Sequence, residues 1–271
     1  MLSILPNLAP LIMGIINATP DSFSDGGAYD PLSHARQLIV EGADVLDIGG
    51  ESTRPGAAPV SVEDEISRVV PLIEAIRAEW PGPISIDTLK PDVARAAFKA
   101  GATIWNDVTA LTHAPESLTT AAELNADVIL MHMQGEPRTM QAAPHYDDVV
   151  AEVEAYLLDR AEAAMAAGIA REKIWLDPGI GFGKTLNHNL ALIRATERLA
   201  SHGFPLLMAA SRKRFIAALE EREGDTASDA TQRIGGTMAV HLYAAQNGAR
   251  MLRVHDVAAM KQALRLWQAL T

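Results

Sequence analysis

Polar side chains that could do chemistry follow a series of short apolar segments in this sequence. Asn17, Asp87 and Asp177 each come directly after such a segment, and Arg253 lies near the end of the last one. Fixed acceptors and an amide suit a flat heterocycle with several N–H groups, because each group left unpaired would cost about 1–3 kcal/mol. A single such residue can equally be a helix cap, so the prediction depends on the whole set. The set is Asn17, Asp87, Asn106, Asp107, His132, Asp177, Ser211, Arg212, Lys213, Arg253 and His255.

The apolar segments alternate with longer segments that have helical periodicity, such as residues 63–79 and 148–167. This order predicts parallel strands joined by crossover helices. The regular alternation without a linker favours an α/β fold, a (β/α)8 TIM barrel with residues 1–271 as a single domain, over an open doubly wound sheet. The polar residues would then share one rim, at the carboxyl ends of the strands. The predicted strands are residues 11–16, 45–48, 84–86, 103–105, 128–131, 174–176, 206–208 and 251–254.

Composition excludes several functional classes. With 48% hydrophobic and 21% charged residues, the chain has enough apolar material for a large core. The formal charge of −11 disfavours nucleic-acid binding, which needs clustered lysine and arginine. The apolar run at residues 11–16 is too short to span a membrane, no export signal is visible at residues 1–20, and cysteine is absent. We therefore expect a cytoplasmic protein that binds neither nucleic acid nor membranes.

Eight sequence motifs occur in order over most of the chain, within residues 11–256. Together they resemble the dihydropteroate synthase family closely, and eight matches in the same order exclude coincidence. The motifs are MGIINATPDSFSDGG at 13–27, DIGGESTRPG at 47–56, SIDT at 85–88, NDV at 106–108, MHMQG at 131–135, DPGIGFGK at 177–184, SRK at 211–213 and RVHD at 253–256.

The resemblance implies a transferase of folate biosynthesis. The family condenses 6-hydroxymethyl-7,8-dihydropterin pyrophosphate with 4-aminobenzoate, which gives 7,8-dihydropteroate and pyrophosphate. The implied reaction is a displacement at the exocyclic methylene carbon of the pterin, and we favour a dissociative over an associative course. A covalent enzyme intermediate is not indicated, because the sequence has no Ser-His-Asp order, no paired-carboxylate pattern and no cysteine.

The resemblance also implies roles for individual residues. The catalytic candidates are Lys213, Arg253, Asp177 and Asn17, and Asn17 would bind Mg²⁺ together with phosphate oxygens, a ligand set typical of this cation. The pterin would bind to Asp87, Asn106, Met133, Asp177, Lys213 and Arg253. Pyrophosphate would bind to Asn17, Thr53, Arg54 and His255, and 4-aminobenzoate to Phe23, Thr53, Pro55, Phe182, Ser211 and Lys213.

Some of these residues have a second interpretation. Arg253 could form a structural ion pair with a barrel carboxylate, Met133 could pack in the core, and Arg54 could be a solvated surface charge. Three glycines, 179, 181 and 183, could serve tight turns without any ligand. Ala209 is a departure from the family, which usually has glycine at this position, and its methyl group could crowd or narrow the pterin pocket.

Partners and alternatives also follow from the resemblance. We expect small-molecule substrates, sensitivity to sulfonamides and a homodimer formed through helices on the far side of the barrel. Two other functions remain open, a pterin-binding methyltransferase barrel and an inactive pterin-binding paralogue. The loops with Phe23 and Thr53 to Pro55, combined with Ser211 to Lys213, favour the synthase, because a binding module needs no pyrophosphate site.

Overall fold

The eight strands run parallel and close into one barrel in chain order, β1 to β8, with β8 paired to β1. We analysed a computed structural model that describes residues 9–18, 30–52, 58–135 and 139–270. The predicted class, an α/β TIM barrel, is confirmed. The strands are β1 Leu11–Asn17, β2 Val45–Gly49, β3 Ile84–Asp87, β4 Ile104–Asp107, β5 Asp127–Met131, β6 Ile174–Asp177, β7 Leu206–Met208 and β8 Ala249–Val254.

Helices follow the strands around the outside of the barrel. Several begin at side-chain caps: Asp30 accepts backbone N–H groups at the start of α1, Ser61 at the start of α2 and Asp148 at the start of α5. None of the helices in the described residues is long and apolar enough to cross a membrane. The helices are α1 Pro31–Glu41, α2 Val62–Glu79, α3 Pro91–Ala100, α4 Ser117–Glu123, α5 Val149–Ala166, α6 Leu186–Arg194, α7 Thr196–Ala200, α8 Arg214–Glu223, α9 Ile234–Gln246 and α10 Val257–Leu270.

Two apolar clusters lie on the two sides of the strands. The larger one packs between the strands and the helices. The smaller one fills the lumen, because alternate side chains of each strand point inward. Its buried members are Met13, Val45, Ile104, Ile129, Trp175, Leu207, Ala209 and Met251.

Polar residues stand above this apolar layer on several of the same strands. Asp47, Asn106, Asp177 and Arg253 come two residues after Val45, Ile104, Trp175 and Met251 respectively, so they share the inward direction. The lumen therefore changes from apolar to polar towards the carboxyl ends of the strands, where TIM-barrel active sites lie.

Candidate active site

Strand pairing places three of the predicted site residues within the adjacent strands β1 to β4 and a fourth, Asp177, on a separate strand. Asn17 pairs with Gly49 of β2, Gly49 with Asp87, and Asp87 with Asn106. Asp177 ends β6 beside Met131. Asn106 and Asp177 are buried, whereas Asn17 is exposed at the rim.

Arg253 of β8 forms ion pairs with two carboxylates inside the barrel. Its Nε donates to Asp47 Oδ2 at 2.6 Å, and its Nη2 donates to Asp87 Oδ2 at 2.7 Å. Burial alone would lower the pKa of Arg253, but the charges of Asp47 and Asp87 outweigh this effect and raise it. The ion pair considered as an alternative for Arg253 is therefore present, and it lies within the predicted pterin site.

Asp87 carries a strongly shifted pKa. Burial is the largest cause, Arg253 opposes it, and the charges of Asp47 and Glu65 add to it, so that the pKa of this carboxyl is raised to about 7. Asp87 therefore exchanges its proton close to neutral pH, even though it is ion-paired.

Asp177 is a buried acceptor at the end of β6, across the barrel from β2. It is 3% exposed, and its Oδ1 accepts a hydrogen bond from Gly179 N at 2.7 Å. Burial raises its pKa, against the positive charge of Lys213. The backbone N–H of Gly179 thus holds the Asp177 carboxylate in place through Oδ1, and the carboxylate can still accept further hydrogen bonds.

Lys213 connects the predicted pterin and aminobenzoate sites. Its Nζ donates to the carbonyl of Ile180 and lies 4.5 Å from the centre of the Phe182 ring. Burial lowers its pKa to about 8, although Asp177 counteracts the shift. An ammonium group beside an aromatic ring and a carboxylate can interact with both an anion and a planar ligand.

Ser211 and His255 contact each other at the same rim. Ser211 Oγ lies 3.0 Å from His255 Nδ1, and His255 N donates to Ser211 Oγ at 3.2 Å. Between Ser211 and Lys213, Arg212 has a positive φ of 59°, stabilised by ion pairing with Asp256. This turn sets the directions of the two flanking side chains.

The glycines of the β6 loop have a structural role. Gly179 has a φ of 66°, and a Cβ there would lie 1.9 Å from the carbonyl oxygen of His132. Gly183 has a φ of 60°, and its Cβ would lie 2.5 Å from the carbonyl oxygen of Gln134. Close packing against the β5 loop, rather than a ligand, explains these two positions.

Lys184 is a buried cation to which the sequence motifs assigned no role. Its Nζ lies 3.0 Å from His132 Nδ1 and donates to the carbonyl of Phe182 at 2.9 Å. Burial lowers its pKa to about 7 and lowers that of His132 to about 3. Lys184 therefore joins the β5 and β6 loops.

The remaining predicted residues contribute less to this geometry. Met133 follows β5 and is partly buried, as is Phe182. The described residues contain no group of three or more histidine, aspartate or glutamate side chains that could hold a metal ion. Phe23, Thr53, Arg54 and Pro55 lie outside the described residues.

The ends of the second βα loop are tied together by charged side chains. Glu51 accepts from Val60 N at 3.1 Å, and Lys90 Nζ donates to Glu51 at 2.7 Å and to the carbonyl of Val60 at 2.7 Å. Glu65, which is fully buried, completes the cluster at 2.6 Å from Lys90. Residues on either side of the predicted pyrophosphate loop are thereby held near each other.

Asp47 is a site residue that the sequence analysis did not identify. It is fully buried and contacts both Asn106 and Arg253. The predicted site residues follow the ends of strands, whereas Asp47 lies in the middle of a strand. A charged residue two positions after Val45, with the same inward direction, was the signal that could have revealed it.

Comparisons with known proteins agree with this arrangement. A model of the family described as pterin binding enzyme matches residues 13–255. The chain is 47% identical to dihydropteroate synthase of Escherichia coli K12 over 264 residues, which cover 96% of this chain and 91% of that protein.

Two solved structures are similar to the whole barrel. Dihydropteroate synthase of Xanthomonas albilineans with 4-aminobenzoic acid superposes with a TM-score of 0.89 at 50% identity, covering 97% of this chain and 93% of that one. The Yersinia pestis dihydropteroate synthase in a sulfonamide drug complex gives a TM-score of 0.90 at 40% identity, covering 99% and 98%.

Proposed function

The chain belongs to the family of pterin-binding enzymes, and on this premise we propose that it catalyses the dihydropteroate synthase reaction. It would transfer the pterin methylene group from 6-hydroxymethyl-7,8-dihydropterin pyrophosphate to 4-aminobenzoate. The observation that carries the proposal is the polar end of the lumen, where Asp87, Asn106, Asp177, Lys213 and Arg253 stand above an apolar layer. Such a set matches a flat ring with several N–H donors.

We propose that the pterin binds in this polar end of the lumen. Asp177 and Asp87 would accept hydrogen bonds from pterin N–H groups, and Asn106 would both donate and accept. The guanidinium of Arg253 offers a planar cation for contact with the ring. Met133, which is partly buried after β5, would contribute an apolar contact.

Pyrophosphate would bind at the rim, next to the pterin. Asn17 is exposed there, and His255 lies beside Ser211. Thr53 and Arg54 would complete this site from the second loop. Since the described residues offer no carboxylate or histidine cluster for a metal, a magnesium ion would be held by Asn17 together with substrate phosphate oxygens and water. When bound, it would neutralise charge on the leaving group.

We propose that 4-aminobenzoate binds between Phe182, Ser211 and Lys213, with Phe23, Thr53 and Pro55 completing the site. Lys213 lies over the Phe182 ring, so an aromatic acid would find a cation and a ring face together. Sulfonamides should compete with 4-aminobenzoate for this position, since they carry an aniline ring with a polar para substituent.

The proposed chemistry requires positioning more than proton transfer. The bond between the methylene carbon and the pyrophosphate oxygen breaks, and the electron pair leaves with pyrophosphate. Positive charge then spreads over the dihydropterin, near the carboxylates of Asp87 and Asp177. The amine nitrogen forms the new C–N bond and releases its proton to solvent, and no general base is needed because a neutral aromatic amine is already nucleophilic.

A pyrophosphate-release assay separates this function from its alternatives. We expect release from the pterin substrate only when both 4-aminobenzoate and Mg²⁺ are present, and loss of release in EDTA. Pterin binding without release would indicate an inactive paralogue. Methyl transfer from a reduced folate to a corrinoid, with no pyrophosphate release, would indicate a methyltransferase.

We further propose that residues 1–271 form one domain and that the protein acts as a homodimer in the cytoplasm. Exposed apolar side chains on α9 and α10, among them Tyr243, Leu266 and Leu270, support an interface on the outer helices. Cell fractionation would test the location, which the cysteine-free sequence favours.

A further inference from the structure

We propose that Asp47 is a positioning residue of the pterin pocket, which fixes the orientations of Asn106 and Arg253 before the pterin binds. This inference depends on the proposed pterin site. Asp47 itself lies below the rim, in the middle of β2, and it is not among the residues assigned to the ligand.

The contacts of Asp47 are directed at two pocket residues. Its Oδ2 accepts from Arg253 Nε at 2.6 Å, and its two oxygens lie 3.4 Å and 3.3 Å from Asn106 Nδ2. Asp47, Asn106 and Arg253 belong to β2, β4 and β8. Side chains from alternate strands meet in one layer of a TIM barrel, which explains why these three residues reach each other across the lumen.

Asp47 determines which way the Asn106 amide is turned. An ionised carboxylate only accepts hydrogen bonds, so the NH₂ group of Asn106 must face it. The carbonyl oxygen of Asn106 is thereby directed away from Asp47 and can accept from a ligand. With an amide at position 47 this preference would be lost, because either end of the Asn106 amide could face another amide.

Asp47 also fixes the plane of the Arg253 guanidinium. Asp47 holds the Nε edge, while Asp87 holds Nη2 at 2.7 Å. Two carboxylates on different edges of a planar group restrict its rotation more than one does. Asp47 is fully buried, whereas the side chain of Asp87 is 17% exposed, so Asp47 is the inner of the two anchors.

A second consequence concerns the titration of Asp87. The charged groups that act on Asp87 come from several elements: Arg253 lowers its pKa, and Asp47 raises it, as do Glu65 of α2 and Asp107 of β4, while Lys213 lies across the pocket. Removing the charge of Asp47 removes one raising influence and leaves Arg253 to pair with Asp87 alone. The pKa of Asp87 should therefore fall.

The test compares D47N with D44N by calorimetric titration of the pterin substrate over a range of pH. Asp44 is a matched control, because it lies three residues earlier and contacts Ile12 N and Lys261 instead of the pocket. We expect D47N to bind pterin about 10- to 150-fold more weakly at the pH of tightest binding, with the KM for 4-aminobenzoate nearly unchanged. Pterin binding weakens on the acid side when Asp87 is protonated, and in D47N this loss should begin at a lower pH. D44N should match the wild type in both measurements.

Other outcomes separate the possible failures. If D47N is less stable to heat but binds pterin like the wild type, with the same loss on the acid side, Asp47 is only a structural ion pair and the proposal is overturned. Absence of pterin binding by the wild-type protein would instead refute the proposed function. Should D47N fail to fold, D47S offers a smaller polar side chain at the same place, and the same readings apply to it.

Discussion

At the residue scale, Asp177 is the acceptor whose charge matters most to the proposed pterin site. Asp177→Asn keeps the shape but turns one acceptor into an NH₂ donor facing pterin N–H groups. Charged hydrogen bonds contribute about 1.5–3 kcal/mol, so pterin affinity should fall about 10- to 150-fold. Calorimetric titration with the pterin substrate measures this change.

A melting curve of the same variant is the control. Asp177 lies at a strand end and accepts from Gly179 N through Oδ1, a bond that Asn can keep. Folding should therefore survive. Unchanged pterin affinity with a clearly lower melting temperature would assign Asp177 to the structure of the loop and remove it from the pterin site.

The titration of Asp87 and Lys213 predicts a bell-shaped pH dependence of pterin binding. The pKa of Asp87 is raised to about 7, so its negative charge appears as the pH rises through this value. The pKa of Lys213 is lowered to about 8, so its positive charge disappears above it. Affinity should be highest between these two values and fall on either side.

Binding measured by calorimetry across neutral pH would show the two limbs. Lys213→Arg should remove the alkaline limb, because a guanidinium stays charged over this range. A flat profile in the wild-type protein would contradict the assignment of both groups. In the ligand-free protein, the raised pKa of Asp87 also affects stability. Protonation of this carboxyl favours the folded state, so its contribution to the free energy of unfolding is fully present at acid pH and is lost as the pH rises through about 7.

Site residues could be predicted where the sequence shows their position along a strand. Asp87, Asn106 and Asp177 are polar residues that end apolar strands, and their common rim follows from parallel pairing. Asp47 and Lys184 were missed because their roles depend on which side chains meet across the lumen or between two loops. The two-residue spacing from Val45 predicts the inward direction of Asp47, but no spacing along the chain encodes which side chains it meets there.

At the element scale, the β6 loop packs directly against the β5 loop. This packing predicts a severe effect of Gly179→Ala, because the new Cβ would lie 1.9 Å from the His132 carbonyl oxygen at a φ of 66°. A left-handed conformation costs a non-glycine residue about 1–2 kcal/mol, and overpacking adds about 1–3 kcal/mol. Urea unfolding should show a free energy of unfolding that is lower by the sum of these two costs.

Gly168→Ala is the matched control for this experiment. Gly168 also has a positive φ, of 100°, but a Cβ there would meet no atom within 4 Å. The free energy of unfolding of Gly168→Ala should therefore fall only by the conformational cost, about 1–2 kcal/mol. Equal losses in the two variants would show that the two loops do not pack as closely as the structure indicates.

Element boundaries were predictable to within one or two residues. Residues 63–79 and 148–167 correspond to α2 Val62–Glu79 and α5 Val149–Ala166, and Asp148 and Ala167 proved to be caps. Four strands, β1, β2, β3 and β6, extend one residue further at their carboxyl ends than predicted, and β4 extends two, because backbone pairing continues through residues such as Asn17 and Asp87. The roles of Gly179 and Gly183 could not be decided from the sequence, since turns and ligand sites use the same residue.

At the scale of the whole molecule, closure of the barrel was predictable, because eight regular βα units without a linker leave few other folds. The family was also predictable and is confirmed by the match over residues 13–255. The assembly was not, since exposed apolar residues on a surface do not by themselves identify a partner.

The proposed homodimer gives a prediction at this scale. Light scattering should report twice the mass of one chain, and Leu266→Asp should shift the protein towards the monomer because Leu266 on α10 is 63% exposed and apolar. Val40→Asp on α1, where Val40 is 88% exposed, controls for the added charge and should remain dimeric. A wild-type protein that is monomeric at every concentration would contradict the proposed assembly.

The most direct test of the account is the identity of the product. The purified protein would be incubated with 6-hydroxymethyl-7,8-dihydropterin pyrophosphate, Mg²⁺ and isotopically labelled 4-aminobenzoate, and the products analysed by mass spectrometry. We expect labelled 7,8-dihydropteroate, with one pyrophosphate released for each molecule formed. Folded protein that binds the pterin but releases pyrophosphate without labelled product, or yields no product at all, would contradict it.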